Sequence, residues 1–193
     1  MTKLVAILGS VTPPGRLHAA TRSMLDAARV ASSDLDVNLV ALADCRVAFA
    51  DGRPPEQYHD DTASIVERVR GADCVILASP VYRGSYTGAL KNLLDHLPLE
   101  SLMGKPVGII AMGATEHHFL GVDWHLRDVL AWFGAIVVPA SVYLMPEHFV
   151  DGELVPAARQ DLQSLVDAVI RLKQAAPAPG TALGPRPLAA RRS

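Results

Sequence analysis

Cys74-Val75-Ile76-Leu77-Ala78-Ser79-Pro80-Val81-Tyr82-Arg83-Gly84-Ser85-Tyr86-Thr87-Gly88 is the stretch on which the fold turns. Its first five residues are apolar without alternation, the pattern of a strand buried on both faces, and Ala89 to Leu97 resumes helical spacing. Between them lies a turn rich in Ser, Pro, Tyr and Gly. Pro80 has no N–H and a fixed φ, so it ends the strand sharply and is expected to leave the N–H groups of Val81, Tyr82 and Arg83 free to point into a crevice. Donors beside an aromatic ring suit a flat heterocycle.

Upstream, Leu4 to Leu8 is a short apolar run that stops at Gly9-Ser10, followed by Val11-Thr12-Pro13-Pro14-Gly15-Arg16 and then helical spacing from Leu17 to Ala31. A glycine-bearing loop between a strand and a helix amino terminus exposes N–H groups and the positive end of the helix dipole, which favours a phosphate. Ser10, Thr12 and Arg16 add further donors. No G-x-G-x-x-G is present and no Lys follows the glycine of this loop, so it is neither a dinucleotide fingerprint nor a P-loop. Asp36 to Leu42 reads as a second strand, Ala43 to Gln57 as an irregular loop, and Thr62 to Val69 as a short helix stopped by Gly71.

Downstream, Leu90, Leu93, Leu94 and Leu97 form one helical stripe, and Lys91 and Asp95 form an i,i+4 pair. Lys105 to Met112 reads as a fourth buried strand ending in Gly113-Ala114-Thr115, a third small-residue loop at a strand's carboxyl end. In the helix expected over Phe119 to Phe133, Phe119, Val122, Leu126, Val129, Leu130 and Phe133 share a face for the sheet. Trp124 lies off that face with Leu120 and Ala131, a second patch that points to a partner subunit or a ligand. Ala135 to Met145 is a fifth strand region interrupted by Pro139, hence an edge or a bulge. Val150 to Leu154 reads as a tight turn, and a last helix is expected from about Ala157 to Lys173.

The chain of 193 residues, half of them apolar, fits one domain over residues 1–174, with a Pro/Ala/Arg-rich flexible tail over 175–193. Net charge is −2; subtracting the tail's three positive charges, Arg186, Arg191 and Arg192, leaves −5 on the body. No basic field for nucleic acid or anionic lipid results. Cys45 and Cys74 are far apart and no signal-like or membrane-spanning run appears, so a cytoplasmic protein without a disulfide framework is expected.

Strands and helices alternate five times, and unalternating strands belong in a parallel sheet covered on both faces. The expected fold is α/β, a doubly wound five-stranded parallel sheet of order 2-1-3-4-5. That order sets the first, third and fourth strands side by side, so the three unusual loops converge where the strand order reverses, the position at which such sheets bind ligands. A phosphate at one end and a planar ring at the other describe a mononucleotide, and flavin mononucleotide (FMN) suits loops with backbone donors.

Gly9-Ser10 with Arg16, Ala72-Asp73, Ala78-Ser79-Pro80-Val81-Tyr82, Ser85-Tyr86-Thr87-Gly88-Ala89-Leu90-Lys91 with Asp95, and His118 with Gly121-Val122-Asp123 and Leu126 resemble the NAD(P)H-dependent FMN reductases of the flavodoxin-like fold. The likeness covers roughly residues 3 to 172 and is nearest to reductases that supply reduced FMN to two-component monooxygenases. It implies that Ser10, Thr12, Arg16 and the amide of Leu17 hold the FMN phosphate. It implies too that Pro80, Val81, Tyr82, Arg83 and Ser85 meet the ring, and that Gly113, Ala114 and Thr115 line its other edge. The chain departs from the family at Gly15, Leu17 and His18, where relatives carry hydroxyl or amide residues, and at Gly113-Ala114, where close relatives have Gly-Gly.

Hydride transfer from NADPH or NADH to FMN needs stacked rings and donors for developing charge, but no acid, base or nucleophile, so no catalytic side chain is assigned. Backbone N–H groups after Pro80 and in the Gly113 loop are expected to supply those donors. The resemblance also implies a homodimer or homotetramer and a flavin-dependent monooxygenase as partner. The alternative is an FMN-retaining NAD(P)H quinone or azo reductase; a flavodoxin-type electron carrier fits the modest charge and few aromatics less well. Glu116-His117-His118 and His125 lack H-E-x-x-H spacing, so no metal is assigned, and Ser79 and Ser85 lack a G-x-S-x-G elbow.

Overall fold

The computed structural model describes residues 1–178 and 181–191. Strand β1 (Thr2–Leu8) leads to helix α1 (Arg16–Ala31), then β2 (Leu35–Ala41), α2 (Thr62–Gly71), β3 (Cys74–Pro80), α3 (Gly88–His96), β4 (Pro106–Met112) and α4 (Phe119–Phe133). Two short strands follow, β5 (Ile136–Val137) and β6 (Val142–Leu144), then the hairpin β7 (Phe149–Val150) with β8 (Glu153–Leu154), and α5 (Pro156–Ala175).

The sheet is parallel in the order β2-β1-β3-β4-β5, with β6 also paired to β4. This is the flavodoxin-like order expected from the sequence. The last strand position is filled by two segments: β5 pairs Pro106 and Val107 of β4, and β6 pairs Ile110 to Met112. Pro139 lies in the gap, where its missing N–H cannot serve a ladder. Two apolar layers enclose the sheet. One joins α1 and α5 to Leu4, Ala6, Leu8 and Ile76; the other joins α2, α3 and α4 to Val5, Ile7, Val75 and Leu77. Alternate residues of each strand thus feed opposite layers, and neither face is left for water.

Lys105 enters β4 almost fully buried and donates to the carbonyls of Val69 and Arg70 at the end of α2, 2.7 Å to each. A cation there meets the negative end of the helix dipole, although burial still lowers the ammonium pKa to about 8.

In α4 the core face is narrower than expected. Val122, Leu126, Leu130 and Phe133 are buried, but Val129 is only partly covered and Phe119 is half exposed. The first turn of α4 extends beyond the strands and lies beside the loop after β3: a side chain on Gly121 would stand 2.5 Å from the Gly84 carbonyl oxygen. Trp124 and Trp132 are both exposed on this helix. Asp123, by contrast, is buried, and its carboxylate binds Arg127 through two contacts of 2.7 and 2.9 Å.

The tight turn after β7 puts Asp151 and Gly152 at φ of 50° and 85°, the left-handed pair that a two-residue hairpin requires. Of the expected flexible tail, Pro179, Gly180, Arg192 and Ser193 lie outside the described residues. Thr181 and Pro187 fold back on the body, the first against Gly104 and the second against Gly134.

Candidate functional site

Three loops meet at the carboxyl edge of the sheet, as the strand order requires. Leu8 of β1 is in register with Ala41 of β2 and Ala78 of β3, and Pro80 is in register with Met112 of β4. The loops after β1, β3 and β4 therefore leave the sheet at adjacent positions, beside the end of β2.

An open cleft of about 580 Å³, counting its solvent-open part, lies among them and is lined by Ser10, Thr12, Gly15, Arg16, Leu17, Pro80 and Tyr82. Six of the residues expected at the site, Ser10, Thr12, Arg16, Leu17, Pro80 and Tyr82, line this one hollow. Val81, Arg83, Ser85, Gly113, Ala114 and Thr115 do not line it and lie in the adjoining loops after β3 and β4. His18, Ala43, Asp44 and Met112 also line it. Sequence reading passed over Ala43 and Asp44, although the strand order, which puts the end of β2 beside β1, was the signal available.

The floor of the cleft is the amino terminus of α1. Gly15 is its N-cap with no side-chain hydrogen bond, its first turn has no acid, and the first helical amide with a backbone partner is Ala19, bonded to Gly15. The N–H groups of Arg16, Leu17 and His18 thus lack intrahelical partners, as at any helix start. Leu17 turns its side chain into the core, so only its amide is available. Ser10 and Thr12 bond each other through their hydroxyls at 2.9 Å. Arg16 lies 5.8 Å from the Phe149 ring centre. Asp44 is the only carboxylate on the lining.

The wall after β3 differs from expectation. Val81 N–H donates to Met112 O at 2.8 Å and Tyr82 N–H to Ser85 O at 2.8 Å, so neither is free. The reason is geometric: Pro80 does not end the pairing with β4, and Tyr82 to Ser85 closes a two-residue turn of its own. Arg83 and Gly84 take φ of 52° and 78° in that turn. An arginine in the left-handed region is uncommon and stays there only where its surroundings fix it. Here Ser85 Oγ meets His125 Nδ1 at 2.8 Å, and the Gly84 carbonyl packs on Gly121. Among the described residues, no backbone partner is found for the Arg83 N–H.

Behind the wall, Thr87 ties the site together. Its hydroxyl donates to the Gly9 carbonyl at 2.5 Å and accepts from Leu90 N–H at 3.1 Å, which also caps α3. Gly9 has no room for a side chain: a Cβ would stand 2.8 Å from the Cβ of Leu90. Ser79 Oγ accepts from Thr87 N–H at 3.0 Å.

At the third loop, Gly113 N–H is taken by the Leu144 carbonyl at 3.0 Å, so this donor, too, is unavailable. The arrival of β6 beside β4 accounts for it. Tyr143 donates its hydroxyl to the Thr115 carbonyl at 2.7 Å. The long loop between β2 and α2 is held from α3: Asn92 bonds Ala48 and Ala50, and His96 bonds Ala48. Among the described residues no three His, Cys, Asp or Glu side chains gather as a metal site would need, and no helix is long and apolar enough to cross a membrane.

Residues 2–149 match the family described as NADPH-dependent FMN reductase. An "NAD(P)H-dependent FAD/FMN reductase" of Geobacillus thermodenitrificans is 34% identical over 172 residues, 88% of this chain and 92% of that protein. The "NADH-dependent FMN reductase SfnF" of Pseudomonas putida is 32% identical, covering 86% of this chain and 90% of its own. Among solved structures, the apo form of an NADH:FMN oxidoreductase (EMOB) superimposes with a TM-score of 0.76 at 26% identity, over 97% of this chain and 98% of that one.

Proposed function

The chain belongs to the NADPH-dependent FMN reductase family, and from that premise we propose how its three loops divide the work of an NAD(P)H:FMN oxidoreductase. The phosphate of FMN lies on the amino terminus of α1. The N–H groups of Arg16, Leu17 and His18 point at it, the Arg16 guanidinium supplies charge, and Ser10 and Thr12 supply hydroxyl donors. The ring lies against Pro80, Val81, Tyr82, Arg83 and Ser85, and its far edge meets Gly113, Ala114 and Thr115.

The observation that carries the reading is the shared hollow: an amino-terminal helix turn without an acid and the Pro80–Tyr82 wall face one cleft. These residues fit a phosphate-bearing aromatic group, with Asp44 the single opposing charge. Bound there, FMN supplies the acceptor for a hydride from reduced nicotinamide. The chain's own part is to bind the phosphate, to keep one ring face against the rigid turn and the other open for nicotinamide, and to aim backbone donors at the ring edge. With the Val81, Tyr82 and Gly113 amides committed inside the fold, that last duty falls to Arg83 and to the amides beyond Gly113.

Reduced FMN then passes to a flavin-dependent monooxygenase. A cleft this open to solvent, at the sheet's edge, supports exchange of flavin between turnovers. The chain also works as a homodimer or homotetramer. Trp132, more than half exposed, lines a groove with Leu94, Leu97, Val129 and Phe133, beside Lys91, Asp95 and Asp128, and Trp124 is exposed on the same helix. An aromatic anchor in an apolar groove suits a second copy of the same face. The test of the whole reading is steady-state oxidation of NAD(P)H with FMN added or withheld, alongside sedimentation of the flavin-free protein. FMN-dependent turnover by a dimer or larger species is expected; FMN-independent turnover with tightly retained flavin would favour the quinone or azo reductase reading.

A further inference from the structure

Tyr143 occupies a place that sequence reading did not single out. It is the middle residue of β6 and lies opposite Ala111 of β4. Ala111 and Gly113 fall on the same face of β4, two residues apart, so the Tyr143 ring can run along that face past one small residue to the other. It does so: a Cβ on Gly113 would stand 1.8 Å from the Tyr143 hydroxyl and 2.8 Å from the ring carbon that bears it. Gly113 is therefore the space through which the hydroxyl reaches the Thr115 carbonyl, 2.7 Å away.

That bond fixes a peptide plane. All described peptide bonds are trans, and a trans peptide aims its N–H opposite to its C=O. With the Thr115 carbonyl turned to Tyr143, the Glu116 N–H points away from β6. The near end of the same loop is fixed by the Gly113 N–H to Leu144 bond and by the Val81 N–H to Met112 bond. The loop's orientation is thus set from both ends, and the amides of Ala114, Thr115 and Glu116 carry no backbone partner among the described residues.

We propose that the Tyr143 hydroxyl, admitted by the missing side chain of Gly113, is a positioning group that sets the 113–116 backbone donors for the edge of the flavin ring. The inference rests on the FMN-site reading above. Burial pushes the Tyr143 phenol above the ordinary tyrosine range, which keeps the proton on the oxygen that donates it.

Tyr143→Phe removes the hydroxyl and leaves the ring. Its kcat/KM for FMN is expected to fall roughly five- to tenfold, the effect of one lost hydrogen bond, with the KM for NAD(P)H unchanged and the melting temperature within about 3 °C of the parent. The visible circular dichroism of bound FMN should change as well. Gly113→Ala, whose methyl would displace the hydroxyl, should reproduce the flavin defect even where it costs stability. Unaltered FMN kinetics and dichroism in Tyr143→Phe would overturn the proposal, as would losses shared equally by both substrates. Absence of FMN-stimulated turnover in the parent protein would instead overturn the reading beneath it.

Discussion

The loops after β1 and β3 leave neighbouring strands at the same edge, yet they are built in opposite ways. Residues 80 to 87 are tied at nearly every turn: Val81 to β4, Tyr82 to Ser85, Ser85 to His125, and Ser79 to Thr87. Residues 10 to 18 hold one hydroxyl pair and a helix start whose first amides have no intrahelical partner. The two loops divide the labour. A surface against which a ring stacks gains from rigidity, since misplacement of a stacked ring is costly in rate. A surface that grips an anion needs donors not already spent inside the fold.

Thr87 is where the two loops are joined, and its removal should have the largest effect. Thr87→Val strips the cap of α3 and orphans the buried Gly9 carbonyl, at a combined cost of about 3 kcal/mol. Thermal unfolding should show a melting temperature lower by about 8 °C. Next in size, Arg16→Ala acts on the open loop alone: the Kd for FMN should rise about tenfold or more, with that for riboflavin, which lacks the phosphate, nearly unchanged. Fluorescence titration of the two flavins measures the ratio directly.

On the rigid side, Ser85→Ala releases the tie to His125 and lets the strained Arg83 relax. The expected result is about a threefold rise in the KM for NAD(P)H, in keeping with one exposed hydrogen bond. The smallest effect belongs to Asp44→Asn, which removes the carboxylate facing the phosphate. FMN should bind about twofold tighter, and the gain should shrink as salt rises.

Much of this arrangement was legible in the chain. The unalternating strands Leu4 to Leu8, Cys74 to Ala78 and Lys105 to Met112 imply a covered parallel sheet, and the sheet order then brings three loops together without any residue-level knowledge. What escaped was pairing that has no period. Val81 and Tyr82 read as free donors because proline usually marks the end of a strand, but the pairing with β4 continues past Pro80, where Val81 N–H donates to the Met112 carbonyl. Tyr143 and Gly113 are thirty positions apart in sequence, and a tyrosine in a short edge strand gives no hint that its hydroxyl fills a glycine's missing side chain. Phe119 follows the helical repeat of its core-facing neighbours, yet its turn lies past the sheet, where periodicity no longer means burial.

In the proposed function one cleft holds FMN by its phosphate and offers the ring to NAD(P)H. The most direct test is NAD(P)H oxidation by the flavin-free protein, titrated with FMN and, in parallel, with riboflavin. A low basal rate, saturable stimulation by FMN and weaker stimulation by riboflavin are expected. A rate indifferent to FMN, from a protein that binds no flavin, would contradict it.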